Sequence, residues 1–394
     1  MPLPLFALML CVFSVGTAES VIAGILPQIA GDLGVSVPAV GLLVSGYALT
    51  VVVGGPLVTL LTGRIPRKSL VLGLIAVFVA GNLIAAVADD YAVLLAGRVV
   101  SALAHCTMFA VCIVIANGLV GAGRQGSAVA RVALGLNLAT VVGVPIGTVL
   151  GQEFGWRSTF WAVLLMSVVS ALLVFGFVPA VPGPSSAGAV GELAVLRDRR
   201  VWSAVTMTVF ASAGAFAAYT FIAPLLTEVG GFGPVALTTL LFVFGGGSIV
   251  GNLVGGRLVD RAVLPALVST VAALTLSLLF LAVVAPVRPL AAVAVLLFGA
   301  SYFSIIPALQ ARIMTAAGAR APTLALAVNI SAFNIGIGGG AWLGGRVIDA
   351  GLGYRAVVLV GAAAVVVSVL VAIRELIVAR ARDTSTVSRE HQLV

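Results

Sequence analysis

Charge is scarce in this 394-residue sequence, in which Asp, Glu, Lys and Arg together make up only 9% of the residues. Soluble domains carry roughly 25% charge, so this shortage excludes an ordinary water-soluble protein. Hydrophobic residues instead make up 61% of the chain, and the mean hydropathy is +1.24. Such a composition is typical of a chain embedded in lipid, and we expect an all-α membrane protein.

Cysteine and histidine are also rare, with three and two residues respectively. Cys11, Cys106 and Cys112 lie in apolar runs without metal-ligand spacing, so we predict no metal site. The sequence contains no HExxH, no GxSxG and no Asp/His/Cys metal cluster, which are patterns of hydrolases and metalloenzymes. We therefore expect no enzymatic activity and no cofactor.

Apolar runs long enough to cross a bilayer recur along the whole chain. A spanning helix needs about 20 apolar residues, and we count about twelve such runs. The first run contains Glu19 and lacks a basic flank, which distinguishes it from a removable signal peptide. The runs are 5–27, 37–61, 69–88, 92–117, 126–151, 156–178, 201–226, 234–256, 264–285, 288–316, 322–349 and 353–378.

The net charge of +8 is distributed in a way that favours a membrane orientation over a nucleic-acid partner. With the N-terminus placed in the cytoplasm, sixteen of the 21 Lys and Arg residues fall on the cytoplasmic side and four on the other. Cytoplasmic loops of membrane proteins carry an excess of these residues. We predict a multi-pass protein of a bacterial-type inner (cytoplasmic) membrane, with both termini in the cytoplasm.

The two halves of the chain resemble each other. Gly155-Trp156-Arg157 recurs 198 residues later as Gly353-Tyr354-Arg355, and a Pro/Gly/Ser-rich break lies between the halves. We predict two pseudo-symmetric six-helix halves, a transporter architecture that binds its substrate at the midplane between them. The predicted domains are an N-terminal bundle at 1–178, a cytoplasmic linker at 179–200, a C-terminal bundle at 201–379, and a disordered cytoplasmic tail at 380–394.

Glu19 is the most informative single residue, because it lies inside the first apolar run. An ionised carboxylate at bilayer depth costs about 2.5–3.5 kcal/mol, so it needs a watery cavity, a partner or a proton. One interpretation is a carboxylate that binds and releases a proton during transport. The other is a buried acid that is paired permanently with Arg98 for structural reasons.

Arg98 and His105 lie seven residues apart, about two helical turns, and therefore share one face of the fourth run. Histidine titrates near neutrality, so a Glu/Arg/His set in one cavity is able to relay protons. The alternative for His105 is a hydrogen-bonded packing residue. We select Glu19, Arg98 and His105 as the proton-coupling candidates.

Other polar and aromatic residues inside the runs are candidates for contact with a substrate. For the polar ones, the alternative is a hydrogen bond between helices, which is their commonest role in membrane spans. Phe216, Phe221 and Phe303 offer an apolar wall for a ligand. The selected cavity candidates are Tyr47, Asn137, Tyr219, Phe303, Gln310, Asn329 and Asn334.

In their order and spacing these motifs resemble the major facilitator superfamily, specifically its twelve-span drug:proton antiporters. Arabinose-efflux-permease-like proteins and chloramphenicol exporters are the most similar branches. Glu19 in the first span and Arg98 in the fourth match positions of that family. Gly143, Pro145 and Gly147 are similar to its antiporter motif in the fifth span.

The loop motif of that family, which is associated with closing the cytoplasmic gate, occurs once in each half. In the second half it is intact, with Gly256, Asp260 and Arg261 in place. In the first half it is degenerate, so we expect a weaker or differently built latch there. The basic residues that remain in the first copy are Arg64, Arg67 and Lys68.

The resemblance implies a carrier that exports small, largely neutral or lipophilic organic molecules in exchange for protons, by alternating access. An antibiotic such as chloramphenicol is the implied kind of substrate. We expect its partners to be that substrate, protons and the lipid bilayer, and we expect it to function as a monomer. The alternatives are a proton-coupled sugar or metabolite transporter, working by symport or efflux, and a facilitator without proton coupling.

Overall fold

The computed structural model describes residues 2–62, 65–120, 125–179, 197–317 and 322–391. Within these ranges the chain forms twelve helical units and no strand, and three of the units are interrupted. The first six are α1 (Leu3–Ser20 and Ile22–Leu33), α2 (Val37–Leu61), α3 (Arg67–Ala86), α4 (Tyr91–Gly118), α5 (Gln125–Leu138, Ala139–Gly143 and Val144–Glu153) and α6 (Arg157–Phe177). The second six are α7 (Arg199–Thr220, Ile222–Pro224 and Leu225–Val229), α8 (Pro234–Arg261), α9 (Val263–Val284), α10 (Arg288–Ala317), α11 (Pro322–Asp349) and α12 (Gly353–His391).

Eleven helices of the described chain are long and apolar enough to cross a membrane. The predicted all-α membrane fold is therefore confirmed. The remaining predicted run, 322–349, forms the 28-residue helix α11 but is not among the eleven. It packs along α7 and α2 inside the bundle.

Irregular backbone interrupts three helices at the boundary between the halves. In α5 the π-helical turn Ala139–Gly143 immediately precedes Pro145, which lacks an N–H group and displaces the carbonyl one turn before it. In α7 the π-helical turn Leu225–Val229 follows Pro224. The third break separates the two segments of α1 at Val21. Such breaks are sites where helices bend.

The second half repeats the packing of the first. α1 packs against α4, α5 and α6, and α7 packs against α10, α11 and α12. Gly34 and Gly231, which are 197 residues apart, have φ angles of 62° and 64°. Gly155 and Gly353 have φ angles of 81° and 77°. Left-handed backbone favours glycine. The two halves therefore repeat this backbone conformation at the same spacing at which they repeat the sequence motif.

Each half secures one end of its bundle with the arginine of the repeated Gly-aromatic-Arg motif. Arg157 forms an ion pair with Asp32 at 2.6 Å and donates two hydrogen bonds to the Ala88 carbonyl, at 2.9 and 2.6 Å. The Trp156 indole donates to the same Asp32 carboxylate at 2.9 Å. Arg355, the repeat of Arg157, donates to a backbone carbonyl of α9 at 2.8 Å.

The two halves share a hydrophobic core at the end of the molecule that holds these contacts, which we call the closed end. That core includes Val40 and Leu43 of α2 together with Phe221 of α7, and Ser45 donates to the Gly338 carbonyl across the boundary at 2.8 Å. At the opposite end, the open end, the first half has a separate core. Its described buried residues come from α1 and α3–α6, and Val58 of α2 packs against them. Among the described residues, the halves therefore share one core at the closed end and have separate cores at the open end.

The open end carries both ends of the described chain, since α1 begins there and α12 finishes there. It also holds most of the basic residues, whereas Arg157, Arg288, Arg346 and Arg355 lie at the closed end. This grouping agrees with the charge asymmetry of the sequence. The placement of the open end in the cytoplasm stays a prediction.

The predicted domain boundaries also stay predictions, because 180–196, most of the linker, lies outside the described residues. The chain after residue 380 differs from the expectation of a disordered tail. There α12 continues as helix to His391. No glycine or proline occurs between 380 and 391, so no residue type that ends helices interrupts it.

A seam of four glycines brings α5 against α1. A Cβ atom built on any of the four would collide with the first helical unit, with its backbone at Gly135 and with its side chains at the other three glycines, so the two helices pack closely. Their common helix face follows from offsets of eight, four and four residues. The seam pairs are Gly135 with Met9, Gly143 with Thr17, Gly147 with Val21, and Gly151 with Ile25.

Gly147→Leu should lower the unfolding temperature by roughly 5 °C or more, because the new side chain meets Val21 and forces α5 away from α1. Gly246→Leu in α8 is the matched control, since a Cβ there has open space. Thermal unfolding of the purified variants in detergent measures the difference. Equal unfolding temperatures for the two variants would show that the seam is not closely packed.

The contacts of Asp32 predict a pH-dependent stability. Hydrogen bonds from Trp156, and then from Arg157, hold the pKa of the Asp32 carboxyl below its usual range. The stabilisation is therefore complete above about pH 4, the pKa of an unperturbed Asp, and is lost as the folded carboxyl protonates at lower pH.

Asp32→Asn should lower the unfolding temperature at pH 7 by roughly 1–4 °C, a modest effect because both partners are partly exposed. The gap between wild type and variant should shrink as the pH falls toward about 3. Glu153→Gln, an exposed acid at the end of α5, is the control. A gap that widens in acid would contradict this account of Asp32.

Candidate functional site

Glu19 lies on α1 two residues before the break at Val21, and it is partly exposed. No hydrogen bond or ion pair within 4.0 Å joins its carboxylate to another described residue. Its charge nevertheless acts on side chains of both halves, so it lies near the boundary between them. The side chains with which it interacts electrostatically are Tyr47, Arg98 and His105 of the first half and Tyr219 and Tyr302 of the second.

Arg98 of α4 is 1% exposed, and its guanidinium group is only partly satisfied. Nη1 donates to the Ala18 carbonyl, and the guanidinium carbon lies 4.1 Å from the centroid of the Tyr47 ring. Nε and Nη2 are buried without a hydrogen-bond partner in the described chain. Unpaired buried donors are costly. The cation therefore depends on the Tyr47 ring and on the nearby charge of Glu19.

Tyr47 connects Arg98 to His105. Its hydroxyl lies 3.0 Å from Nδ1 of His105, and the two ring centroids are 5.7 Å apart in an edge-on arrangement. When Nδ1 carries no proton, the hydroxyl donates to it. We call Glu19, Arg98, Tyr47 and His105 the charged network. The structure brings together all three proton-coupling candidates and one of the cavity candidates.

A cluster of six aromatic side chains in the second half, the aromatic wall, stands opposite the charged network. Tyr219 stacks on Phe244 at 5.0 Å between centroids and meets Phe216 edge-on at 5.5 Å. Its hydroxyl is buried without a hydrogen-bond partner in the described residues. All six side chains are at most 8% exposed and belong to the hydrophobic core, so the wall is a packed aromatic cluster that carries one unsatisfied hydroxyl. The wall consists of Phe216, Tyr219, Phe244, Phe298, Tyr302 and Phe303.

The charged network and the aromatic wall occupy equivalent places in the two halves. Phe244, Phe298 and Tyr302 belong to the wall but were not among the predicted cavity residues. The offset of 197 residues, read as a correspondence between side chains, would have found two of them. It relates Glu19 to Phe216, Tyr47 to Phe244, Arg98 to Val295, and His105 to Tyr302. Where the first half carries ionisable groups, the second half carries aromatic or apolar ones.

The two asparagine candidates of α11 both form hydrogen bonds with residues of the helices. Asn329 is 1% exposed, and its Oδ1 accepts a hydrogen bond from Thr208 of α7 at 2.8 Å. This is the contact between helices that the sequence left open as the alternative. Asn334 donates to the Ile330 carbonyl at 3.0 Å, and its Oδ1 is buried without a described partner. Asn334 therefore keeps an oxygen available, whereas Asn329 does not.

Asn137 and Gln310 stay outside the charged network. Asn137 is half-buried directly before the π-helical turn of α5, and Gln310 is exposed three residues after Pro307 of α10. No hydrogen bond in the described chain links either of them to the network. Their part in substrate contact remains a prediction.

The first copy of the loop motif packs inside its own half. Arg64 lies outside the described residues, and Arg67 is half-buried at the start of α3. Lys68 donates to the Phe175 carbonyl at 2.8 Å, with its ammonium 5.6 Å from the centroid of the Phe175 ring. Lys68 thereby joins α3 to α6.

The second copy lies at the open end of α8. Gly256 is half-buried, and Asp260 and Arg261 are exposed. Neither charged residue forms an ion pair within the described part of the chain. In this conformation the motif is therefore unengaged, as expected where the halves are apart.

A family model, the Major Facilitator Superfamily, matches residues 8–338. The chain belongs to the major facilitator superfamily. One relative of this chain is inner membrane transport protein YdhP of Escherichia coli (strain K12). It is 40% identical over 359 residues, which cover 91% of this chain and 92% of YdhP. A chloramphenicol resistance protein of Streptomyces lividans is 40% identical over 350 residues, covering 86% and 88%.

Solved structures show the same fold at low identity. A bacterial homologue of the human lysosomal transporter Spinster matches with a TM-score of 0.72 and 17% identity, over 94% of both chains. The transporter described here is thus a multi-pass membrane protein of this superfamily, and the family resemblance found in its sequence is confirmed. Membership implies a small-molecule substrate and a bilayer environment.

The charge balance between Glu19 and Arg98 can be tested by a double-mutant cycle on thermal stability. Glu19→Gln alone or Arg98→Gln alone leaves one charge without its counterpart, while the double variant removes both. The double variant should be more stable than the sum of the single effects by about 1 kcal/mol.

Glu19→Gln combined with Arg312→Gln is the control, because Arg312 pairs with Glu375 in the other half. Those two effects should add within about 0.5 kcal/mol. If the effects of Glu19→Gln and Arg98→Gln also add, the carboxylate does not balance the buried guanidinium.

Proposed function

We propose that this transporter exports small, largely neutral or lipophilic organic molecules with an aromatic part, in exchange for protons. Glu19 is the proton-binding group, Arg98 and His105 adjust its charge balance, and the aromatic wall binds the substrate. The carrier works by alternating access of a site between its two halves, and it functions as a monomer.

The observation that carries this proposal is that the charge of Glu19 acts both on Arg98 and His105 of its own half and on Tyr219 of the aromatic wall. A substrate stacked on Tyr219 and Phe244 comes within reach of the carboxylate across the same space. A hydroxyl or amide N–H of that substrate donates to the carboxylate and stabilises its charged form. The substrate and the proton therefore compete for one group, which is the requirement for exchange.

The relatives support export of a drug-like molecule. The protein of Streptomyces lividans is named for chloramphenicol resistance and is 40% identical to this chain. Chloramphenicol combines a nitrophenyl ring with hydroxyl and amide groups, which suits an aromatic wall facing one carboxylate. The few hydrogen-bonding groups on the wall favour such compounds over sugars.

The charge asymmetry orients the carrier in this proposal, and export is the direction proposed. With the basic open end in the cytoplasm, the structure represents the state that loads substrate from inside while Glu19 is ionised. After reorientation a proton binds Glu19 from outside, the substrate leaves, and the neutralised carrier returns. The membrane potential adds about 2.3 kcal/mol per charge and 100 mV.

Two further elements serve the reorientation. The seam around Gly143 and Gly147, with Pro145 beside a π-helical turn, gives α5 a smooth surface and a place to bend against α1. Asp260 and Arg261, exposed while the open end is apart, become available for contacts between the halves when it closes.

Glu19→Gln should abolish accumulation driven by a pH gradient while preserving exchange of substrate at equal pH, because exchange needs no net movement of protons. The assay uses proteoliposomes and labelled chloramphenicol. A gradient of one pH unit supports about tenfold accumulation per proton exchanged, and the variant should reach none. Glu153→Gln, an exposed acid outside the site, should behave as wild type.

The outcomes separate the alternatives. Accumulation in Glu19→Gln that equals wild type would refute the role of this carboxylate. Substrate that moves in the same direction as the protons would indicate symport. Transport that ignores the pH gradient in wild type would indicate a facilitator. If the wild-type protein accumulates a sugar but not chloramphenicol, the alternative of a metabolite transporter is supported.

A further inference from the structure

The second half contains a basic cavity at its open end, away from the charged network and the aromatic wall. It has a volume of about 440 Å³ and lies between the start of α7, the start of α9, the end of α10 and α12. Neither the charged network nor the aromatic wall contributes to its lining. Its charged lining residues are Arg199, Arg200, Arg312, Arg374 and Glu375.

The ion pair of Arg312 and Glu375 forms a fixed part of this lining. Arg312 is 8% exposed and binds Glu375 through two atoms, with Nε to Oε2 at 2.6 Å and Nη2 to Oε1 at 3.0 Å. A two-atom contact between guanidinium and carboxylate holds both groups in one orientation. Nη1 of Arg312 makes no hydrogen bond to a described residue. Both oxygens of the Glu375 carboxylate therefore accept hydrogen bonds from Arg312.

The three other arginines give the cavity an excess of positive charge. Arg199, Arg200 and Arg374 are exposed, and none forms an ion pair within the described ranges. Asp198 accepts a hydrogen bond from the backbone N–H of Arg200 and caps α7, and it does not line the cavity. With one acid against four arginines, the lining is suited to an anion with several acceptor oxygens.

The fold itself does not require these charges. At an offset of 197 residues, the positions in the first half that correspond to the three arginines of α7 and α12 and to Glu375 hold uncharged residues. Arg312 corresponds to Ile115. Because the first half builds the same packing without charge, the cavity is a specific feature of the second half. The equivalents of Arg199, Arg200, Arg374 and Glu375 are Pro2, Leu3, Phe177 and Val178.

Apolar residues of the same cavity indicate which anion fits. Leu264, Val371 and Val378 line it together with the arginines. On α12 the neighbouring Leu370 and Ile377 are 61% and 62% exposed, as expected for a surface that meets acyl chains. Arginines beside an apolar helix surface at the end of a span match the headgroup region of a bilayer.

We propose that this cavity binds a phosphate-bearing anion, namely the headgroup of an anionic phospholipid, with its acyl chains along α12. The phosphate oxygens accept hydrogen bonds from Arg200 and Arg374 and so connect α7 to α12. Free inorganic phosphate offers the same chemistry without the acyl chains, and the test separates the two sources.

The test measures binding of phosphatidylglycerol to the full-length purified protein by native mass spectrometry, with phosphatidylcholine as the neutral reference lipid. Each arginine is worth about fivefold in affinity for an anionic lipid surface, so Arg200→Gln with Arg374→Gln should weaken phosphatidylglycerol binding roughly 25-fold. The control is Arg131→Gln with Arg257→Gln, which removes the same charge from exposed places at the open end and should leave binding unchanged.

A second measurement, the unfolding temperature, keeps the result interpretable if a variant is less stable. Phosphatidylglycerol should raise it in wild type and in the control but not in the cavity variant. If inorganic phosphate raises the unfolding temperature by the same amount, the proposal of a lipid ligand is wrong. Equal losses in the cavity and control variants would overturn the site, because general surface charge would then explain the binding.

Discussion

In the proposed function, the centre of this transporter depends on the electrostatic interaction between the Glu19 carboxylate and the buried Arg98 guanidinium. The two groups do not touch, because Arg98 is held by the Ala18 carbonyl and by the face of Tyr47. A direct ion pair would fix the carboxylate in one protonation state. In the proposed function, this separation leaves the carboxylate free to accept a hydrogen bond from the substrate.

The division of labour between the halves follows from this arrangement. A common fold supplies both halves with helices in equivalent positions, and the side chains then diverge. Tyr47 and Phe244 occupy corresponding places, yet one serves a cation and a histidine while the other stacks with Tyr219 and Phe298. In the proposed function, charge handling belongs to the first half and substrate contact to the second, and Glu19 is the point at which they meet.

Much of the fold could be predicted from the sequence, because the free energy of transfer into lipid sums over a window of residues. Hydropathy therefore located the helices, and the repeated Gly-aromatic-Arg motif located the repeat. Side-chain orientation was harder. In a bilayer both the lipid face and the core face of a helix are apolar, so periodicity did not reveal which aromatics meet in the wall. It also did not show that Asn329 binds Thr208. The pair of Arg312 and Glu375 was missed because its members lie 63 residues apart.

The central claim is that substrate and proton compete for Glu19, and proton release on binding tests it most directly. Binding of chloramphenicol is measured by titration calorimetry in buffers of different ionisation enthalpy, across the pH range in which wild-type affinity changes. Because the effects of proton and substrate on each other are reciprocal, affinity should fall as the pH falls, and wild type should release up to about one proton per substrate. Glu19→Gln should bind without releasing a proton. The same proton release from Glu19→Gln, or uptake of protons by wild type, would contradict the account.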